Sequence, residues 1–126
     1  MHEMSIALGV VNIADQAFQE ANAKRIDSIT LEIGQLAGVQ LESLYFVWPA
    51  AVEGTVLQGA ERIIEEREGR ALCLECDQEF TLQQHFDACP HCNGYFKKII
   101  AGKELNVKSL AFTLAEETAP APSKTR

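Results

Sequence analysis

Hydrophobic residues in the first third of the chain repeat first with the period of a helix and then with the period of a strand. Over residues 5–23 they recur every three or four positions, which predicts an amphipathic helix with Ser5 as its N-cap. Over residues 28–33 apolar and polar residues alternate, which predicts a half-buried strand. Gly34 and Gly38 follow this strand and mark a loop.

The rest of the pattern predicts one more helix and two more strands. Residues 41–52 place large apolar side chains on one helical face, although Pro49 should interrupt or kink this helix because it lacks an amide proton. Residues 61–67, with a mixed pattern, and residues 105–112 are predicted as the second and third strands. We therefore expect an α+β fold, in which a small sheet of about three strands carries two helices.

All four cysteines of the chain lie between the second and third predicted strands, as two Cys-x-x-Cys pairs. Cys73 and Cys76 form the first pair, and Cys89 and Cys92 form the second after twelve intervening residues. Each pair can sit on a tight turn that points both sulfurs at one ion, so the two pairs supply the four thiolates of a tetrahedral zinc site. Because four thiolates leave no position for water, the zinc is predicted to be structural. Two disulfides, or iron bound by the same sulfurs, are the alternatives.

Side chains around the cysteine pairs complete this predicted site. Residues 77–88 suit a strand, a turn and a second strand, with Phe80 and Phe86 available to shield the sulfurs. His91 lies inside the second pair, where we expect an exposed side chain and keep zinc ligation as the alternative. His85 is expected on a solvated loop, with a transient metal contact as the alternative.

The order of these elements predicts that the cysteine segment is an insertion. If the second and third strands pair in one sheet, two neighbouring strands tether the segment at the end of that sheet. We therefore expect a discontinuous α/β domain at 1–69 and 101–115, and a zinc-ribbon domain at 70–100. The tail at 116–126 contains two Ala-Pro pairs, has little to bury and is expected to be disordered.

Charge and composition narrow the classes of function. The 126 residues carry a formal net charge of −7, which disfavours nucleic-acid binding because that binding needs basic surface to neutralise phosphates. A nucleic-acid module would have to bind through a patch of basic residues. We prefer to interpret these residues as part of a solvated surface. They are Arg67, Arg70, Lys97, Lys98 and Lys103. No apolar run approaches the roughly 20 residues of a membrane span, and the N-terminus lacks a secretory signal, so we expect a cytoplasmic protein. No pairing of a nucleophile with a base stands out, and an enzyme is not expected.

The first three residues, Met1-His2-Glu3, suit a different metal. The free amine of Met1, the amide nitrogen of His2 and its imidazole can form fused rings around one ion, and Glu3 can add its amide or carboxylate. Planar coordination rich in nitrogen favours Ni(II) or Cu(II), whereas softer thiolates take zinc. An ordinary exposed N-terminus is the alternative interpretation.

Taken together, these motifs resemble the HypA/HybF family, the nickel metallochaperones of NiFe-hydrogenase maturation and, in some organisms, of urease. The resemblance covers residues 1–113. It is carried by Met-His-Glu before an apolar helix, by the strand end Leu-Glu-Ile-Gly at 31–34, by Gly54-Thr55, and by the cysteine pairs, the second of which contains Pro90.

The resemblance implies a nickel-binding α/β domain joined to a zinc ribbon, with structural Zn2+ and transferable Ni2+. It implies His2 as the principal nickel ligand, with the N-terminal nitrogens, including that of Met1, and Glu3 as neighbours. In some relatives an acidic side chain near the start of the second helix approaches the nickel. This chain has Gln40 at the matching position, with Glu42 two residues away.

The implied partners are a nickel-delivering GTPase of the HypB type, the hydrogenase large-subunit precursor and, in some organisms, urease maturation proteins. The chain has no phosphate-binding Gly-Lys-Ser/Thr loop, so it is not expected to hydrolyse GTP itself. Two other classes of function remain as alternatives. One is a zinc-ribbon module that binds protein or nucleic acid without nickel, and the other is an electron-transfer protein with iron in the cysteines.

Overall fold

The computed structural model describes residues 2–115 of the chain. In chain order these residues form α1 (Glu3–Glu20), β1 (Ala23–Gly34), α2 (Leu41–Val52), β2 (Glu61–Arg67), β3 (Arg70–Cys73), β4 (Glu79–Thr81), β5 (Lys97–Ala101) and β6 (Leu105–Leu114). Two helices with two three-stranded sheets confirm the predicted α+β class. Neither helix of this part of the chain is long and apolar enough to cross a lipid bilayer. The tail at 116–126, predicted to be disordered, lies outside the described residues.

The first sheet has the strand order β2-β1-β6, with β2 parallel and β6 antiparallel to β1. The second and third predicted strands lie in one sheet but do not pair with each other, because β1 lies between them. Arg67 pairs with Gly34, and Leu105 pairs with Ile33, so both connections to the cysteine segment leave from the C-terminal end of β1. The segment is therefore an insertion at one end of this sheet, as predicted.

The main core lies between the first sheet and the two helices. Ile29, Leu31 and Ile33 of β1 are at most 2% exposed, because the alternating strand turns them all toward the helices. The helical residues buried against them are Ala7, Val10, Val11 and Ala14 of α1, with Leu44, Trp48, Ala51 and Val52 of α2. The apolar stripe of each helix therefore fixes it on the sheet.

The first helix begins and ends earlier than its apolar pattern predicts. Its N-cap is His2, whose carbonyl accepts a hydrogen bond from the Ile6 N–H at 3.2 Å. Ser5 consequently lies inside the helix, and its prediction as the N-cap is wrong. The helix ends two residues before Asn22, which has a φ of 53°, a left-handed conformation that asparagine tolerates. This turn lets β1 begin at Ala23, well before the alternating pattern.

The second helix continues through Pro49 to Val52, so of the predicted interruption or kink, the interruption is wrong and the kink stays a prediction. A proline removes the hydrogen bond to the carbonyl four residues earlier, which is that of Tyr45. Both Pro49 and Tyr45 are exposed, so water can hydrogen-bond the freed carbonyl. The opposite side of the helix keeps its buried contacts through Leu44 and Trp48.

The second sheet has the order β4-β3-β5 and is antiparallel throughout. Its small core comprises Leu36, Ala71, Cys73, Phe80, Leu82 and Cys89. Of the strand-turn-strand predicted at 77–88, only residues 79–81 are a strand. The Asp87 carboxylate accepts hydrogen bonds from the N–H groups of Gln83 and Gln84, which forms a turn where the second strand was expected.

The two phenylalanines predicted to shield the sulfurs have different positions. Phe80 is 4% exposed and packs in the same core as Cys73 and Cys89, as predicted. Phe86 is 72% exposed, so its predicted role as a shield is wrong. It lies in the turn closed by the Asp87 carboxylate rather than in a strand facing the core.

Candidate metal centres

Both cysteine pairs lie on the same type of turn. In each turn the carbonyl of the first cysteine accepts a hydrogen bond from the N–H four residues later. Asp77 donates to Cys73 at 2.9 Å, and Asn93 donates to Cys89 at 2.7 Å. Asp77 and Asn93 have φ angles of 63° and 64°, a left-handed conformation in which Asp and Asn are enriched. The same turn therefore forms at both cysteine pairs.

Backbone N–H groups within these turns point at the sulfurs. The Glu75 N–H donates to Cys73 Sγ at 3.4 Å, and the His91 N–H donates to Cys89 Sγ at 3.3 Å. Donors of this kind stabilise a thiolate, which is the form that binds metal. The imidazole of His91 is exposed, and in residues 2–115 the group close enough to share an ion contains only cysteines.

The four sulfurs converge on one point. The Sγ atoms of Cys73 and Cys92 are 3.6 Å apart, those of Cys76 and Cys89 are 3.7 Å apart, and all four lie within 4.8 Å of one another. Zinc bonds of about 2.3 Å in a tetrahedron place the sulfurs about 3.8 Å apart, so the cluster has the dimensions of a zinc site. A disulfide needs sulfurs about 2.05 Å apart, whereas these four cysteines are free thiols.

The thiols of the cluster differ in acidity. Burial raises the pKa of Cys73, but the N–H groups of Glu75 and Cys76 and the neighbouring Cys92 thiol outweigh burial and lower this pKa to about 7. The Gln78 N–H lowers the pKa of Cys76, but burial and the neighbouring thiols outweigh it and raise this pKa to about 12. A divalent cation that binds all four sulfurs at neutral pH must therefore displace protons, including that of Cys76.

The loop after β1 contributes to the cysteine module, which the sequence analysis missed. Leu36 is 6% exposed in the second core, and its N–H donates to the Gly102 carbonyl at 2.7 Å. The Nε2 atom of His85 lies 3.1 Å from the Leu36 carbonyl oxygen, while the rest of His85 is exposed, as expected for a loop. The sequence does contain a signal for this contact, which is a single leucine in the loop between Gly34 and Gly38. Loops usually run over the surface, so a large apolar side chain there indicates that it packs against another part of the protein.

The predicted nickel site at the N-terminus lies where the two helices begin. His2 is exposed at the start of α1, and the Glu3 carboxylate accepts a hydrogen bond from the Gln40 N–H at 2.8 Å. This hydrogen bond lowers the pKa of Glu3 below its ordinary value. Glu42 is exposed in the first turn of α2, and Met1 lies outside the described residues.

Two arginines of the predicted basic patch already contact carboxylates. Arg67 donates to Glu32 at 2.6 Å and to Glu65 at 2.9 Å, and Arg70 donates to Glu79 at 3.0 Å. These ion pairs reduce the positive charge available to a phosphate backbone. The structure therefore does not favour the nucleic-acid interpretation.

These features define a small metal-binding protein of two modules, in which a helix-covered sheet carries a ribbon with four convergent cysteines. The family model described as "Hydrogenase/urease nickel incorporation, metallochaperone, hypA" matches residues 1–112. The chain belongs to this HypA family of metallochaperones and maturation factors, which confirms the resemblance drawn from the sequence.

Relatives of the chain cover nearly all of it. It is 42% identical over 110 residues to the hydrogenase maturation factor HypA of Azotobacter chroococcum mcd 1, a match that covers 87% of this chain and 97% of that protein. It is 46% identical over 110 residues to the factor of the same name from Chlorobaculum tepidum, with 86% and 96% covered. The solution structure of the Ni metallochaperone HypA from Helicobacter pylori has the same fold, with a TM-score of 0.65 at 19% identity over 91% of this chain and 100% of that chain.

Proposed function

We propose that this chain is a nickel metallochaperone that binds Ni(II) at its N-terminus and delivers it for NiFe-hydrogenase maturation. The observation that carries the proposal is the family match over residues 1–112, because that span includes both the N-terminal motif and the two cysteine pairs. The description of the family names urease beside hydrogenase, so urease is a second candidate recipient.

The nickel ligands we propose are the imidazole and amide nitrogen of His2, the amine of Met1 and the neighbouring Glu3. The first N–H groups of a helix have no partner within it, so α1 does not need the amide nitrogens that the chelate would use. His2 is also exposed, which lets an ion enter and leave without opening a core. These properties suit an ion that has to be handed on.

The second metal we propose is structural Zn2+ held by Cys73, Cys76, Cys89 and Cys92. The sulfur separations of 3.6 and 3.7 Å support four-coordinate zinc with a filled shell. Zinc contributes about 10–16 kcal/mol in small zinc modules, which suits a ribbon whose own core is small. The corresponding domain boundaries are 1–69 with 101–115 for the nickel end and 70–100 for the ribbon.

The partners we propose are a HypB-type GTPase, the hydrogenase large-subunit precursor and urease maturation proteins. The family description supports a place in hydrogenase or urease maturation, and a sequence without a phosphate-binding loop is consistent with a separate GTPase partner. Free thiols that converge on one metal suit a reducing compartment, so we place the protein in the cytoplasm.

Calorimetric titration of Ni(II) into the untagged, zinc-loaded chain tests the proposal. We expect His2→Ala to weaken nickel binding by at least about tenfold, or 1.4 kcal/mol, because it removes the imidazole from the chelate. Zinc content and helicity should stay unchanged, and an N-terminal extension should weaken binding to a similar extent because it removes the Met1 amine.

The matched control is His91→Ala, which removes an exposed imidazole beside the cysteines and should leave nickel affinity unchanged. If the unmodified chain has no affinity for nickel at neutral pH, the delivery role is wrong and a zinc-ribbon interaction module becomes the better interpretation. A coloured, iron-containing preparation would instead favour the electron-transfer interpretation.

A further inference from the structure

We propose that Glu3 is a positioning residue for nickel binding, whose carboxylate fastens the start of α1 to the start of α2 and does not ligate the ion. Glu3 Oε2 accepts a hydrogen bond from the Gln40 N–H at 2.8 Å, between residues 37 positions apart in the chain. The nickel half of this inference rests on the proposed function, whereas the link between the helices does not.

The start of α2 needs an acceptor from outside its own sequence. Its N-cap residue, Gln40, makes no side-chain cap hydrogen bond. In a capping box, a Glu or Gln three residues into the helix accepts a hydrogen bond from the N-cap N–H. In α2 that position holds Ser43, so the Gln40 N–H has no such partner within its own helix. Glu3 supplies the missing carboxylate from the other helix, where the α2 dipole also favours a negative charge.

This contact positions the proposed chelate directly. Met1 and His2 precede Glu3, so a carboxylate fixed to α2 limits where the first two residues can move. The backbone N–H of Glu3 lies at the first position of α1 and has no helical partner, although its own carboxylate also accepts from it. Once this nitrogen loses its proton it can join the chelate while the side chain keeps its contact with Gln40. One residue can therefore supply a backbone ligand and a fixed attachment point.

The alternative, in which the carboxylate binds nickel, makes opposite predictions. Glu3 would then have to release the Gln40 N–H when nickel binds, and the start of α2 would loosen in the nickel-loaded protein. Under the positioning role the hydrogen bond persists in both states. An uncharged acceptor at position 3 should then also serve, since an amide oxygen accepts a hydrogen bond but is a poorer nickel ligand than a carboxylate.

The experiment compares Glu3→Gln and Glu3→Ala in the untagged, zinc-loaded chain, with Glu53→Ala at the far end of α2 as the control. Amide hydrogen exchange is first measured without nickel. We expect the Gln40 amide to exchange about tenfold faster in Glu3→Ala, and within about threefold of the unmodified chain in Glu3→Gln and Glu53→Ala. Equal exchange in the unmodified chain and Glu3→Ala would overturn the link between the helices.

Nickel titration of the same proteins then decides the role of the carboxylate. We expect Glu3→Gln to bind within about threefold of the unmodified chain and Glu3→Ala to bind about tenfold more weakly. Equal weakening in both variants would overturn positioning in favour of direct ligation, and full affinity in Glu3→Ala would overturn both roles. If the unmodified chain does not bind nickel, the proposed function and the role of Glu3 in nickel binding are both wrong. The exchange rates would still test whether Glu3 links α1 to α2.

Discussion

The two proposed metal sites differ in how many segments of the chain supply their ligands. The cysteine cluster draws on two separate turns, and the first cysteine of each, Cys73 and Cys89, is 0% exposed in the second core. The N-terminal site lies on the first residues of α1, where His2 is exposed and the Glu3 carboxylate is hydrogen-bonded to Gln40 at the start of α2. Cys92 is exposed, but the two buried cysteines cannot separate without local unfolding, whereas an exposed chelate can exchange its ion. The fold thus places the two proposed metal sites in different surroundings.

The largest expected effect comes from removing a cysteine of the proposed zinc site. We expect Cys89→Ala to lose zinc and to unfold residues 70–100, because zinc supplies about 10–16 kcal/mol in modules of this kind. The α1 helix should keep its protection, since its buried contacts belong to the main core. Metal analysis and hydrogen exchange along the chain measure both effects.

The outcome also tests how separate the two regions are. Leu36 belongs to the loop after β1 but packs in the second core, so some loosening of this loop is expected. If the amides of α1 lose protection as strongly as those of β3, the two sheets unfold as one unit and the contrast between them is wrong. Addition of a zinc chelator to the unmodified chain should reproduce the pattern of Cys89→Ala.

A smaller effect should separate a buried aromatic neighbour of the sulfurs from an exposed one. Phe80→Ala should destabilise the zinc-loaded ribbon by about 3–5 kcal/mol, because it leaves a cavity beside Cys73 and Cys89. Phe86→Ala is the matched control and should stay within about 0.5 kcal/mol, since that side chain is 72% exposed. Denaturant unfolding of both variants provides the comparison, and similar losses in the two would show that Phe86 also supports the ribbon.

The contrast between these aromatics shows where sequence patterns stop being informative. Periodicity predicted α2 at 41–52, because this helix has to bury one face against a core, whereas β2 at 61–67 was predicted from a mixed pattern. Phe80 and Phe86 are chemically alike and close in sequence, but Phe80 lies in β4 and faces the core, whereas Phe86 lies in the turn closed by Asp87. A side-chain hydrogen bond of this kind leaves no periodic signal.

The candidate sites show the same limit. The spacing of the cysteine pairs was sufficient to predict that four sulfurs converge, since each local turn positions two of them. The contact of Glu3 with Gln40 and the insertion of Leu36 into the second core both depend on how distant segments meet. The tolerance of Pro49 likewise depends on which side of α2 faces water. None of these follows from local sequence.

The smallest expected effect concerns the first sheet, whose stability should depend on pH through an ion-pair network of Glu32, Glu65, Arg67 and Lys108. Hydrogen bonds from Arg67 hold the pKa of Glu32 below its ordinary value of 4.5. Hydrogen bonds from Lys108 and then Arg67 lower the pKa of Glu65 in the same way. A carboxylate with a lowered folded pKa adds stability that is present above the unfolded pKa and is lost as pH falls through the folded pKa.

The substitution Glu32→Gln removes one charge from this network and should lower the free energy of unfolding most at neutral pH. The difference from the unmodified chain should shrink as pH falls from about 7 to 3, because protonation of Glu32 removes the same charge in the unmodified chain. Denaturant unfolding across this range measures the difference. Glu53→Gln is the matched control because it alters an exposed carboxylate for which the structure of residues 2–115 shows no ion pair, and it should change the free energy of unfolding by at most about 0.5 kcal/mol. A difference for Glu32→Gln that stays constant down to pH 3 would contradict this prediction. It would mean that the contribution of the Arg67 contact to stability does not depend on the charge of Glu32.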